Sequence, residues 1–243
     1  MWSKASERAG LMPLAQAGRD LGSFAGRVSR VRRVRRVNLR PARLEDAEVV
    51  AKLLHLAGTE VYDFVFAQPG FTAVDFIWHE FRSGRGYCRS KNVMVAELQG
   101  EVVGAAASYA QSDGSRLFLG WLANVLGLYG VLRALPVLRR AWQARAVMNG
   151  PLPHGAYLSE LGVLASCRNQ GVGSTLLKAL VDQARARGHS SLSLSVSMAQ
   201  PQAEQFYRRH GFTDQARAGT SVSHAAAGLP LSPVRWLSLR WRP

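Results

Sequence analysis

The chain has 243 residues, with 31 Lys+Arg against 16 Asp+Glu and a formal net charge of +15. That length suits one large domain or one domain with an appendage, and a hydrophobic content of 47% excludes wholesale disorder. Two cysteines exclude a disulfide scaffold and a multi-cysteine zinc module.

The charge is uneven. Residues 1–36 hold nine of the Lys/Arg and two of the Asp/Glu, so nearly half of the excess lies in the first seventh of the chain. The densest part runs from Arg30 to Arg36. Like charges this close repel, so residues 1–36 are expected to be a flexible basic extension of a domain spanning 37–243. A solvated tail, an organelle-targeting leader, a nucleic-acid contact and an anionic-lipid contact are all compatible with it. A secretory signal is not expected, because residues 1–30 lack an uninterrupted apolar stretch.

The first structured element is expected at Val37–Arg40, a short strand ended by Pro41. Leu44-Glu45-Asp46 opens a helix, with acids in its first turn favouring the macrodipole. Val49, Val50, Leu53, Leu54 and Ala57 repeat at helical spacing, and Gly58 is placed to close it. Residues 59–91 form an aromatic-rich, partly helical stretch carrying Tyr62, Phe64, Phe66, Phe76, Ile77, Trp78 and Phe81, read as core or as the wall of a substrate pocket. Val93–Leu98 and Glu101–Tyr109 flank Gln99-Gly100 and predict a hairpin.

Residues 110–155 read as a helical insert. The run Leu117–Leu132 is apolar apart from Asn124 and glycines, and falls short of the ~20 residues needed to cross a bilayer. Extending it to residue 138 takes in Arg133 and Pro136. Three readings are open for 117–138: a buried or lid-forming helical pair, a membrane-surface helix, or a span. Beyond it, Ala156–Leu164 predicts a strand, 172–187 an amphipathic helix closed by Gly188, Ser191–Val196 a strand, Pro201–His210 a short helix and Val234–Trp241 a last strand. The fold class is therefore α/β (α+β), a mixed sheet with helices on its faces.

The chemistry concentrates at Leu161–Ser174. A strand runs into a tight turn, and Arg168-x-x-Gly171-x-Gly173 opens a helix. The first N–H groups of a helix have no internal partner and carry partial positive charge, so they bind anions. Glycine at 171 and 173 lets a phosphate approach the backbone, and Arg168 adds a charge-assisted donor. The pattern is neither a Walker A loop nor a Rossmann fingerprint. An ordinary strand-to-helix turn would also use these glycines.

The context carries more. Leu161-Gly162-Val163, Arg168-x-x-Gly171-x-Gly173, Leu176-Leu177 and Ala203-Glu204-Gln205-Phe206-Tyr207-Arg208-Arg209-His210-Gly211-Phe212 resemble the acetyl-CoA-binding half of the GNAT superfamily of acyl-CoA-dependent N-acyltransferases. Leu39-Arg40-Pro41-Ala42-x-x-Glu45-Asp46-Ala47 is similar to that family's first strand and helix. The resemblance implies a mostly antiparallel twisted sheet, with 156–214 as the acyl-CoA-binding half. It implies direct acetyl transfer from acetyl-CoA to a small-molecule or peptide amine. Pyrophosphate would lie on the N–H groups of 168–174, including Gly171, Val172, Gly173 and Ser174. Pantetheine would add alongside the strand carrying Leu161 and Val163, and a backbone N–H near Val163 would stabilise the oxyanion.

Tyr207 stands at the family's usual position for the acid facing the CoA thiolate, where plain packing at a helix–sheet boundary is the alternative. Glu160 is the candidate base, because a carboxylate in a central strand is costly unless used or paired, and desolvation would raise its pKa. Strand alternation groups it with Leu158 and Gly162, and sets Tyr157 and Ser159 on the other face. Gln200 stands where the family commonly has an Asn that contacts pantetheine. Cys167, beside the phosphate turn, has a reactive and a structural reading. The six histidines show no ligand spacing, so no metal is expected. Asp63, Asp75 and Glu80 are candidates for an acidic acceptor pocket. A cytoplasmic or membrane-associated location is expected. The competing functions are a non-enzymatic acyl-CoA-binding module and a basic protein that binds nucleic acid through 1–36 or a membrane surface through 117–138.

Overall fold

The computed structural model describes residues 37–145, 148–215 and 229–241, and the basic extension 1–36 lies outside them. Seven strands form one sheet in the order β1-β2-β3-β4-β5-β7-β6. The strands are β1 (Asn38–Pro41), β2 (Val93–Leu98), β3 (Glu101–Ala110), β4 (Ala156–Val163), β5 (Ser191–Ser197), β6 (Thr213–Asp214) and β7 (Val234–Arg240). All neighbours pair antiparallel except β4 and β5. Pro41 belongs to β1 instead of ending it, which its place on an edge strand permits. The predicted β2–β3 hairpin forms around Gln99 and Gly100, both at positive φ.

Among the described residues, six helices flank the sheet: α1 (Ala47–Ala57), α2 (Thr59–Phe66), α3 (Ala73–Ser83), α4 (Gly114–Arg145), α5 (Val172–Ala186) and α6 (Pro201–Arg209). Leu44–Asp46 is a 3-10 turn leading into α1. Gly58 joins α1 to α2 at φ −140°, so it serves as a pivot and not as a left-handed cap. One face of the sheet packs on α1 and α3 through Val50, Leu53, Ile77, Phe81, Val93, Val95, Ala105 and Ala107. The close approach of α1 depends on Gly162, where an added Cβ would lie 1.9 Å from the Leu53 carbonyl oxygen. The opposite face receives α5, whose Val172 and Leu176 would meet a Cβ on Gly104 at 3.0 and 3.1 Å.

The insert is a helical pair. Gly130, at φ 70° and ψ 166°, interrupts α4. Its inner residues Val125, Tyr129, Ala134, Val137 and Ala144 pack with Val65, Phe66, Ala73 and Phe76 of α2 and α3. Phe66 and Phe76 stack at 3.9 Å between ring centroids, so these aromatics of the 59–91 stretch are core.

Candidate active site

The site forms where the sheet opens. β4 and β5 pair only at Ala156–Leu192 and Tyr157–Ser193, and no pairing continues beyond them. The rest of β4 keeps its β3 partners and leaves its other edge open. Leu164 donates its N–H to the Val103 carbonyl at 2.9 Å, toward β3. Strand alternation then turns the N–H groups of Val163 and Leu161 toward the opening.

A bulge sets the side chains around that opening. The β3–β4 register shifts between Ala107 and Ser108, leaving Ser159 as the extra residue of β4. Paired residues project to the same side of a sheet, so Tyr157, Glu160 and Gly162 share one face, with Leu158 and Leu161 on the other. Uninterrupted alternation groups Glu160 with Leu158 and away from Tyr157. The bulge reverses both assignments and brings Glu160 to the α1–α3 side with Tyr157.

Glu160 is held there from α2. Its Oε1 accepts the Tyr62 hydroxyl at 2.6 Å, across 98 residues of sequence. The same hydroxyl lies 3.2 Å from Cys88 Sγ. Glu160 Oε2 has no hydrogen-bond partner among the described residues and no solvent contact. Burial pushes the Glu160 carboxyl up, and the hydroxyls of Ser159 and Tyr62 partly oppose the shift.

Glu80, on α3, completes the cluster. It is almost wholly buried, and its carboxylate accepts N–H groups of Tyr87 (3.0 Å) and Cys88 (3.4 Å). Gly86, at φ 81°, makes room for it, since a Cβ there would overlap Glu80 Oε1. Burial lifts the Glu80 carboxyl to about 8 against those two N–H bonds, and the nearby charge of Glu160 adds to the rise. Burial also pushes the Tyr62 phenol and Cys88 thiol well up, followed by the charges around them. The four groups thus form a connected carboxyl–phenol–thiol–carboxyl chain. Asp63 and Asp75 do not join it. Asp63 pairs with His55 at 2.8 Å, and Asp75 caps α3 through Thr72.

Tyr207 comes from α6. It is buried, and nothing among the described residues hydrogen-bonds its phenol. Burial raises its pKa, with the charges of Tyr157 and Glu160 adding to the shift. Tyr157 is raised to about 12 by burial, partly offset by a hydrogen bond with Ser195.

The anion-binding turn is built from backbone. Asn169 and Gly171 take positive φ of 58° and 82°, folding the turn onto the first residue of α5. A Cβ on Gly171 would meet nothing, so its glycine serves conformation. A Cβ on Gly173 would touch Phe206 at an ordinary 3.5 Å, so the protein's own packing does not demand glycine there. Arg168 is exposed, and its Nε donates to the Val163 carbonyl at 3.3 Å, tying the guanidinium to the end of β4. Ser174 Oγ lies 3.0 Å from His210 Nε2, joining the start of α5 to the end of α6. Gln200 is the exposed residue before α6. Cys167 is fully buried beneath the turn, which leaves its structural reading.

Acetyl-CoA fits these residues. An open strand edge, a helix start with a glycine the packing does not require, and an exposed arginine suit pantetheine and pyrophosphate. No group of three or more His, Cys, Asp or Glu able to hold a metal occurs among the described residues.

Comparison with known proteins agrees with this geometry. The model of the Acetyltransferase (GNAT) family matches residues 59–212. No curated protein matches the sequence. Among solved structures, the chain is similar to one titled "The crystal structure of acetyltransferase", with a TM-score of 0.59 and 21% identity over 84% of this chain and 100% of that one. It is also similar to an N-acetyltransferase from Staphylococcus aureus Mu50, with a TM-score of 0.58 and 19% identity over 83% of this chain and 98% of that one. A third, SsHAT, gives a TM-score of 0.55 and 20% identity over 84% and 98%. At these identities the structures establish the fold. The family match covers well over half of the chain, and with it the chain belongs to the GNAT acetyltransferase family, enzymes that move an acetyl group from acetyl-CoA to an amine.

Proposed function

We propose that the acceptor amine attacks the thioester directly on the α1–α3 side of β4, with Glu160 taking its proton and Tyr207 facing the departing thiolate. The observation that carries this reading is Glu160 itself, a part-buried carboxylate at the opening of the sheet with one oxygen held by Tyr62 and the other without a partner among the described residues. Bound acetyl-CoA would supply an activated acyl group. Arg168 and the N–H groups of Val172, Gly173 and Ser174 would hold its pyrophosphate. The N–H groups of Leu161 and Val163 face the open edge and would pair with pantetheine and with the oxyanion, and Gln200 would contact pantetheine.

An alkyl ammonium has a pKa near 10, so it must lose a proton before attacking. A carboxylate raised by burial is a better acceptor for that proton than one in water. Tyr62 points its hydroxyl at Oε1 and leaves Oε2 without a competing donor among the described residues. Tyr207 is raised as well, so its phenol stays protonated throughout the neutral range. That favours hydrogen-bond donation to the developing thiolate over full proton transfer.

The acceptor side offers the carboxyls of Glu160 and Glu80 and four tyrosines, Tyr62, Tyr87, Tyr109 and Tyr157. Asp63 and Asp75 are engaged elsewhere and add no acidic group to this wall, so the substrate class is a monoamine or a peptide amine and not a polyamine. The test is release of free CoA thiol by purified protein with acetyl-CoA and a panel of monoamines, peptides and polyamines. Turnover with monoamines or peptides is expected, and Tyr207→Phe should lower kcat far more than acetyl-CoA affinity. Tight acetyl-CoA binding without turnover on any amine would leave an acyl-CoA-binding module instead.

A further inference from the structure

The insert carries two apolar stripes where a helix on a soluble core needs one. In the second half of α4, Ala134, Val137, Ala141 and Ala144 face inward at spacings of three and four. Leu132, Leu135 and Trp142 follow on the outside at spacings of three and seven, 83%, 59% and 76% exposed. Val131, beside Leu132, is 72% exposed. Singly exposed apolar residues are ordinary, but a contiguous stripe marks a contact surface.

Charge identifies the partner. From Gly114 to Arg145 there are five arginines and no acidic residue. Arg139 lies within the outer stripe, between Leu135 and Trp142, and Arg133 and Arg145 are exposed beside it. Two copies of this chain meeting through the stripe would bring arginines against arginines. An anionic lipid surface takes both features: acyl chains accept the leucines and the tryptophan, and headgroup phosphates pair with the arginines.

Length decides between lying on the bilayer and crossing it. Gly130 divides α4 into halves of about 16 residues, each spanning about 24 Å against a hydrocarbon core of about 30 Å. The inner stripe is also already packed on α2 and α3. We propose that the outer face of α4, centred on Leu132, Leu135, Arg139 and Trp142, docks the enzyme on the surface of an anionic membrane.

The test is co-sedimentation of the full chain with phosphatidylcholine vesicles with and without phosphatidylglycerol. Binding is expected only with phosphatidylglycerol. Leu132→Glu combined with Leu135→Glu should weaken it at least tenfold, while acetyl-CoA still stabilises the variant against heat as it does the parent. Arg139→Glu, with the apolar stripe intact, should weaken binding by a smaller factor. That double variant leaves every cation of 1–36 in place, so undiminished binding by it would assign the contact to the extension and overturn the proposal. Absence of binding to either vesicle, or a solution dimer that the same substitutions dissociate, would also overturn it. None of these readouts depends on turnover, so failure here is separable from failure of the acceptor assignment.

Discussion

The two halves of the site use the backbone differently. On the CoA side, the binding groups are main-chain N–H groups at the start of α5 and along the open edge of β4, set by Asn169 and Gly171 at positive φ. On the acceptor side, the working groups are side chains from α2, α3, the loop before β2 and β4, gathered around Glu160. A site made of backbone tolerates side-chain change wherever conformation is kept. A site made of a buried polar cluster depends on every member, because each unpaired group in it is costly.

Glycines give the sharpest contrast. Gly162→Ala pushes a methyl group into the Leu53 carbonyl, and it should destabilise the protein by about 3 kcal/mol or prevent folding, read by denaturant melts. A variant that melts like the parent would show that α1 can withdraw from β4. Gly173→Ala meets only an ordinary contact and should leave the melt unchanged while weakening acetyl-CoA binding about tenfold, read by calorimetry. Unchanged affinity would remove pyrophosphate from the start of α5.

The acceptor-side cluster makes a pH-dependent prediction of similar size. Glu80 has a folded pKa of about 8, above its unfolded value of 4.5, so the native state holds a proton that the unfolded chain has lost. Its contribution is present below pH 4.5 and is lost as pH rises to about 8. Glu80→Gln removes that dependence. Relative to the parent, the variant should gain stability between pH 5 and pH 8, by at most about 4 kcal/mol at about 1.4 kcal/mol per unit. A parent-to-variant difference independent of pH would mean that Glu80 is ionised throughout.

Tyr62→Phe should have the smallest effect. The Tyr62 hydroxyl lowers the Glu160 pKa, so its loss should move the acidic limb of the kcat/KM profile to higher pH, with acetyl-CoA affinity unchanged. A limb that stays in place would mean that Glu160 is not the titrating base, or that Tyr62 does not reach it in solution.

The same division explains what the sequence reveals. The CoA side is local, and glycine spacing, the strand before it and the helix after it lie within about fifteen consecutive residues. The hairpin, α5 and α6 are legible for the same reason, since each is set by short-range pattern and turn chemistry. The acceptor side is assembled from residues 62, 80, 88 and 160, and no spacing rule links them. Tyr62 and Glu80 stand among aromatics and acids that read equally well as core or as a separate pocket. The bulge at Ser159 leaves no mark in an alternating strand, yet it decides which face Glu160 takes. The outer stripe of α4 is hidden because its inner stripe has the same composition, and only packing distinguishes them.

The most direct measurement compares the parent with Glu160→Gln for steady-state acetyl transfer to an accepted amine, alongside acetyl-CoA binding by calorimetry. A side chain that only takes the amine's proton should, when neutralised, lower kcat by about 10²- to 10⁴-fold and leave acetyl-CoA affinity within about twofold of the parent. Parent-like turnover in Glu160→Gln, or an equal loss of turnover and acetyl-CoA affinity, would contradict the account.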